Sequence, residues 1–184
     1  MHSPGGLYPH LRQRPTGYRT WHVRGGTPES IRYSSLDQIN RKNVRHLKIA
    51  WIYQTGDAYS GSEMQYNPIT IGRTLFTTTP SLKVIALDAA TGHVRWSFDP
   101  FRGRRPGGKL RNRGVTYWED GQDRRVFVVA GHYLFAMDAD SGNLIPSFGQ
   151  QGRVDLREGL GRPPETLTVT STSPGIIYRD LLII

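Results

Sequence analysis

Apolar and polar residues alternate through most of this chain in runs too short for helices. From Pro68 onward, "PITIG", "RTLFTTT", "LKVIALD" and "HVRWSFD" each carry the two-residue period of a strand and are divided by Gly, Pro or Asp. They predict four consecutive antiparallel strands over 68–98. "GVTYWED", "RRVFVVAG", "YLFAMD" and "NLIPSF" predict four more over 114–148. A third set opens at Pro174, where "PGIIYRDLLII" lines up with "PITIGRTLFTT" at Pro, Ile, Arg and Leu, so 174–184 is expected to begin a third unit and to stop short. Ahead of these sets, residues 1–30 form a polar arm punctuated by Gly and Pro. Residues 31–47 suggest one or two short helical turns, with Ser35 and Gln38 spaced as a capping box and Asn40 able to cap the next turn. Residues 48–54 alternate like a strand that lacks a partner.

Strand-sized sets that recur are a repeat architecture. "VIALDAATGHVRWSFDP" at 84–100 returns at 134–150 as "LFAMDADSGNLIPSFGQ", with Ala, Asp, Ala, Gly, Ser and Phe in the same places. Asp88 and Asp138 can each accept from the amides of the following turn, Thr91 and Ser141 can reinforce it, and Gly92 and Gly142 supply the positive φ that closes it. These aspartates read as turn-formers rather than catalytic groups. Trp96, on the last strand of its unit, can cover the neighbouring sheet. The expected fold is therefore all-β, a β-propeller of four-stranded blades. The unpartnered strand at 48–54 resembles half of a ring closure, which implies that the chain is an N-terminal portion of a longer protein.

Composition supports this picture. Gly (21) and Pro (12) favour many short elements joined by turns, and a hydrophobic content of 36% is enough for a packed core. With no cysteine there is no disulfide and no thiolate metal site. The net charge of +9 concentrates in Arg12–Arg24 and Phe101–Arg113. The second stretch has neither helical periodicity nor aromatic stacking platforms between its arginines, so it reads as a solvated loop or subunit contact, and nucleic acid is not an expected partner. The six histidines are scattered and suggest no metal site. No apolar run is long enough to span a bilayer, and the N-terminus shows no apolar export segment.

Four stretches between Trp21 and Ile184 resemble the quinoprotein dehydrogenases that use pyrroloquinoline quinone (PQQ), within them the glucose-dehydrogenase-like branch. "RYSSLDQINRKNVRHLKIAWIYQTGD" is similar to that family's N-terminal motif, and "ALDAATGHVRWSFDP" to its tryptophan-docking repeat. "NRGVTYW" is similar to its cofactor-proximal strand, and "FGQQGRVDL" with "TSTSPG" to its approach to the third blade. The resemblance implies an eight-bladed propeller holding the quinone and a Ca2+ ion in a central funnel. It also implies hydride transfer from a sugar or alcohol to a quinone carbonyl, a carboxylate base, and electrons leaving to a quinone or cytochrome. The protein would act in the periplasm or at a membrane facing it, and membrane association of the full-length protein is compatible with this. A non-catalytic propeller scaffold built on the same docking repeats is the alternative.

Position by position, the resemblance aligns Arg113 with the arginine that approaches the quinone oxygens. Gln65 falls where many members carry a cofactor-bonding glutamate, and Thr172 and Ser173 where hydroxyls bind the cofactor carboxylates. Lys109 falls where some glucose dehydrogenases place a histidine, its other reading being a solvated loop lysine. Gly107 and Gly108 replace the adjacent cysteines of alcohol-oxidising members, which favours sugar oxidation. The catalytic base and the Ca2+ ligands are expected beyond Ile184, so no catalytic residue and no metal ligand is assigned within the chain, and the isolated chain is expected to be inactive.

Overall fold

A computed structural model describes residues 19–27, 29–104 and 107–184. Most of the polar arm at 1–30 lies outside the described residues. Two four-stranded antiparallel sheets and a two-stranded hairpin follow one another along the chain.

The first sheet is β1 (Ile69–Ile71), β2 (Thr74–Thr78), β3 (Val84–Asp88) and β4 (Val94–Phe98), in that order. The second is β5 (Thr116–Asp120), β6 (Asp123–Ala130), β7 (Tyr133–Asp138) and β8 (Arg153–Asp155), again in order. The hairpin is β9 (Ile176–Tyr178) with β10 (Leu181–Ile183). Every strand is joined to the next in sequence, the up-and-down connection of a propeller blade.

One strand assignment is corrected. Asn143–Phe148 does not form the fourth strand of the second sheet; Arg153–Asp155 does, pairing with Tyr133–Phe135. Proline has no amide hydrogen to continue a ladder. Leu144 makes a single bridge to Met137 and Ile145 donates once to the Ala136 carbonyl. The chain then turns away at Pro146 and returns at β8.

Among the described residues upstream, one 3-10 turn forms at Val44–His46. Asn40 Oδ1 accepts from the Lys42 amide at 2.9 Å, but the expected box at Ser35 is absent: the Leu36 amide donates to Ser34 Oγ at 3.2 Å. Residues 48–54 join no ladder among the described residues, which corrects the strand expected there. They are fastened by side chains instead: Trp51 Nε1 donates to the Ala89 carbonyl at 3.2 Å.

The core lies in the seams between sheets. Ile69, Phe76, Val84, Ala86 and Trp96 of the first sheet pack with Val126, Val128, Phe135 and Met137 of the second. Phe127, Val129, Leu134 and Ala136 face the other way, and Leu182 of the hairpin packs against that side. β6 and β7 are thus covered on both faces, which explains why "VFVVA" and "YLFAM" read as near-continuous apolar runs.

The repeated turn locks these seams. Asp88 Oδ1 accepts from the amides of Ala90 (3.0 Å) and Thr91 (3.1 Å), and Asp138 Oδ1 from those of Asp140 (3.2 Å) and Ser141 (2.8 Å). Gly92 and Gly142 close the two turns at φ 73 and 74. A Cβ on Gly142 would stand 2.6 Å from the Trp96 ring, and one on Gly92 2.7 Å from Trp51. Trp96 Nε1 donates to the Ala139 carbonyl at 3.0 Å, as Trp51 does to Ala89. Each indole therefore lies flat on the glycine turn of the following sheet, its one polar atom satisfied.

Candidate functional site

The segments leading into β1, β5 and β9 run side by side. The Arg113 carbonyl accepts from the Asn67 amide at 3.4 Å, and the Arg113 amide donates to the Thr172 carbonyl at 2.7 Å. One residue of the middle segment is thereby pinned to both neighbours. The "NRG" sequence makes this geometry: buried Asn112 accepts the Gly114 amide on Oδ1 at 2.8 Å and bends the chain around Arg113. A Cβ on Gly114 would meet the Pro174 ring at 3.3 Å, so the third segment packs directly on this bend. With its backbone fixed, half-buried Arg113 sends Nη1 to Thr172 Oγ1 at 3.3 Å.

A second group lies two and four residues earlier. Glu63 Oε1 accepts from Arg111 Nε at 2.7 Å and from Gln65 Nε2 at 2.8 Å, while its Oε2 pairs with Lys109 Nζ at 2.7 Å. Lys109, Arg111 and Arg113 thus follow one another at alternate positions, and the first two share one carboxylate. The Glu63 carboxyl is held below its ordinary range, first by the hydrogen bond from Lys109 and then by that from Arg111. Tyr59 anchors the loop backbone: its hydroxyl accepts from the Leu110 amide at 3.1 Å and donates to the Gly108 carbonyl at 3.4 Å.

Of the five residues singled out in the sequence, Arg113 and Thr172 are joined directly, and Gln65 and Lys109 meet through Glu63. Ser173 is placed apart. It lines a small gap beside Phe127, Val129 and Leu182, in the seam between the second sheet and the hairpin. Glu63, Arg111 and Tyr59 escaped the sequence reading. Glu63 stands two positions before Gln65, on the same side of an extended segment, but its cationic partners are remote in the chain and no local spacing announces them.

A larger cavity of about 670 Å3 is bounded by β1, β5, β9, residues 20–27 and Ser30, with Thr20, Thr70, Tyr117 and Ile176 among its lining; none of the five candidate residues lines it. Among the described residues no three His, Asp or Glu side chains converge as a metal site would require, and no helix is long and apolar enough to cross a membrane.

Residues 21–184 match the family described as "PQQ: Glucose/ethanol/alcohol dehydrogenase, beta-propeller domain". The chain is 34% identical over 195 residues to quinoprotein glucose dehydrogenase A of Acinetobacter calcoaceticus, covering 89% of this chain and 24% of that protein. With the quinoprotein glucose dehydrogenase of Escherichia coli strain K12 it shares 31% over 189 residues, 92% of this chain and 23% of the relative. Among solved structures, quinohemoprotein alcohol dehydrogenase ADHIIG from Pseudomonas putida HK5 superposes with a TM-score of 0.70 at 30% identity, covering 89% of this chain and 22% of that one. The chain spans about a quarter of the length of the curated relatives it matches.

Proposed function

The chain belongs to the PQQ glucose/ethanol/alcohol dehydrogenase β-propeller family, and we propose from that premise that its full-length protein oxidises a sugar by hydride transfer to bound quinone. The observation that carries the reading is Arg113, fixed by backbone bonds to both flanking segments with its guanidinium on Thr172.

The donor set suits the cofactor. PQQ is a polycarboxylate, and three cations are available at alternate positions: Arg113 on the Thr172 hydroxyl, and Lys109 and Arg111 on the Glu63 carboxylate that also holds the Gln65 amide. Arg113, Thr172, Gln65 and Lys109 are the residues that would hold it; Ser173 shares the lead-in segment but lies in the apolar seam. When bound, the quinone supplies a two-electron acceptor for the hydride of a CH–OH carbon. Arg113, held by its backbone bonds and by Thr172, would supply a preorganised positive charge to stabilise the negative charge that reduction brings. Asn112 and the Thr172 carbonyl fix the backbone around Arg113, and the Thr172 hydroxyl accepts from the guanidinium.

No Ca2+ site can be built from the described residues, and no step is assigned to the ion here. In this reading the base and the Ca2+ ligands lie in the remaining three quarters of the protein, electrons pass to a quinone or cytochrome, and the enzyme works on the periplasmic side. Gly107 and Gly108, in place of a cysteine pair, support a sugar over a simple alcohol.

The test is dye-linked turnover by the full-length protein reconstituted with PQQ and Ca2+, comparing aldoses with primary alcohols. Aldose oxidation should exceed alcohol oxidation, and Arg113→Ala should lower kcat about 100-fold, the scale seen when one preorganised charge-stabilising donor is lost. Cofactor binding without turnover on any aldose or alcohol would overturn the reading and leave a non-catalytic propeller.

A further inference from the structure

We propose that Glu63 is a positioning residue for cofactor recognition, fixing the orientation of the Gln65 amide and the Lys109 ammonium through one carboxylate. The inference rests on the dehydrogenase reading and deepens it.

A glutamine amide is ambivalent: turned over about its terminal bond it exchanges donor for acceptor with almost no change of shape. A carboxylate accepts only. Because Glu63 Oε1 lies 2.8 Å from Gln65 Nε2, the amide must offer its NH2 to Glu63 and keep Oε1 as the acceptor. Lys109 has the opposite problem. It follows Gly107 and Gly108 on an exposed loop, and its flexible stem ends in a point charge with no directional preference. Two anchors from one segment remove that freedom: the Tyr59 hydroxyl bonds the backbone on either side of Lys109, and Glu63 Oε2 holds its ammonium at 2.7 Å. Glu63 is the least exposed member of the group, 29% against 41% for Lys109 and 49% for Arg111, so the carboxylate is the hub. Arg111 Nε at 2.7 Å from the same Oε1 steadies it.

A hub acting through two residues makes a prediction that a merely structural role does not. Removing it should hurt cofactor binding only while those residues are present. The experiment is titration of the full-length apoprotein with PQQ, followed by quenching of tryptophan fluorescence, with thermal unfolding recorded alongside. Wild-type protein should bind, and Glu63→Ala should raise Kd about tenfold, the scale of one charge-assisted network lost. Glu63→Gln, which preserves shape and can accept one bond, should fall between the two and guards against loss of fold. In a Gln65→Ala/Lys109→Met background, adding Glu63→Ala should change Kd less than about twofold if the effects are coupled. The inference is overturned if wild type binds and Glu63→Ala binds equally well, or if the tenfold loss persists in the double background. If wild-type protein does not bind PQQ, the dehydrogenase reading itself falls and takes this inference with it.

Discussion

The seam between the two sheets and the polar cluster around Glu63 are built by opposite means. In the seam, each half of the contact belongs to the repeat: the Trp96 indole of one sheet lies on the Gly142 turn of the next, and Trp51, from the segment ahead of the first sheet, docks on Gly92 in the same way. In the cluster, Tyr59 meets the backbone around Lys109, and Glu63 gathers Gln65, Lys109 and Arg111, all from connecting segments outside the ladders. A repeated seam gives stability that any copy can reuse, whereas an unrepeated cluster gathers charged side chains at one place in the molecule. The seam also shows where repetition ends. Pro146 occupies the position of Trp96 in the second unit, and there the chain leaves the ladder instead of docking.

Trp96→Ala is the hardest blow to that contrast. It empties a buried site that touches Phe76 at 5.8 Å between ring centres and leaves the Ala139 carbonyl without its donor. The cost in urea unfolding should be about 3–5 kcal/mol. Gly142→Ala attacks the same contact from the other side, forcing a Cβ to 2.6 Å from the indole at a positive φ, and should cost about 2–3 kcal/mol. Trp51→Ala should cost less than Trp96→Ala, about 1–2 kcal/mol, because Trp51 is only half-buried and its own segment joins no ladder. Equal costs for the two tryptophans would show that the segment at 48–54 is held by more than the docked ring.

These seams were legible because their parts lie close together in sequence and recur. Asp, Thr or Ser and Gly at fixed positions define a turn, two-residue alternation defines strands, and an aromatic at the end of the unit finds its glycine. The fourth strand of the second sheet was misplaced for an equally local reason. "NLIPSF" keeps the apolar content of "HVRWSF", but the proline inside it removes the donor that the ladder needs. Arg113 and Thr172 were singled out through resemblance of "NRGVTYW" and "TSTSPG" to a family pattern, and the fold brings the two side chains together. Glu63 was not visible by either route, since a carboxylate declares its partners only when a distant loop folds over it. Ser173 shows the converse: two adjacent hydroxyls in one motif diverge, Thr172 to Arg113 and Ser173 to an apolar gap.

The smallest expected effect separates two turns that look alike. Asp88 and Asp138 accept the same backbone bonds, but Asp88 also pairs with Arg95 at 2.7 Å, and that hydrogen bond, reinforced by the Ala90 and Thr91 amides and the Thr91 hydroxyl, holds its pKa down to about 2. Asp138 is lowered chiefly by Ser141. A carboxyl whose pKa is depressed by folding contributes stability above its unfolded value, and the contribution is lost as pH falls through the folded one. Asp88 should therefore contribute fully above its ordinary 3.8 and progressively less down to about 2. Asp88→Asn should be less stable than wild type at neutral pH, with the gap closing across that window in unfolding measured against pH. High salt should narrow the gap further at neutral pH, since Arg95 is exposed. Asp138→Asn should show the acid-dependent closure but little salt dependence, because its largest partner is a hydroxyl rather than a cation. If both variants respond equally to salt, the ion pair is incidental and the two turns are one device, held in each sheet by the same amides.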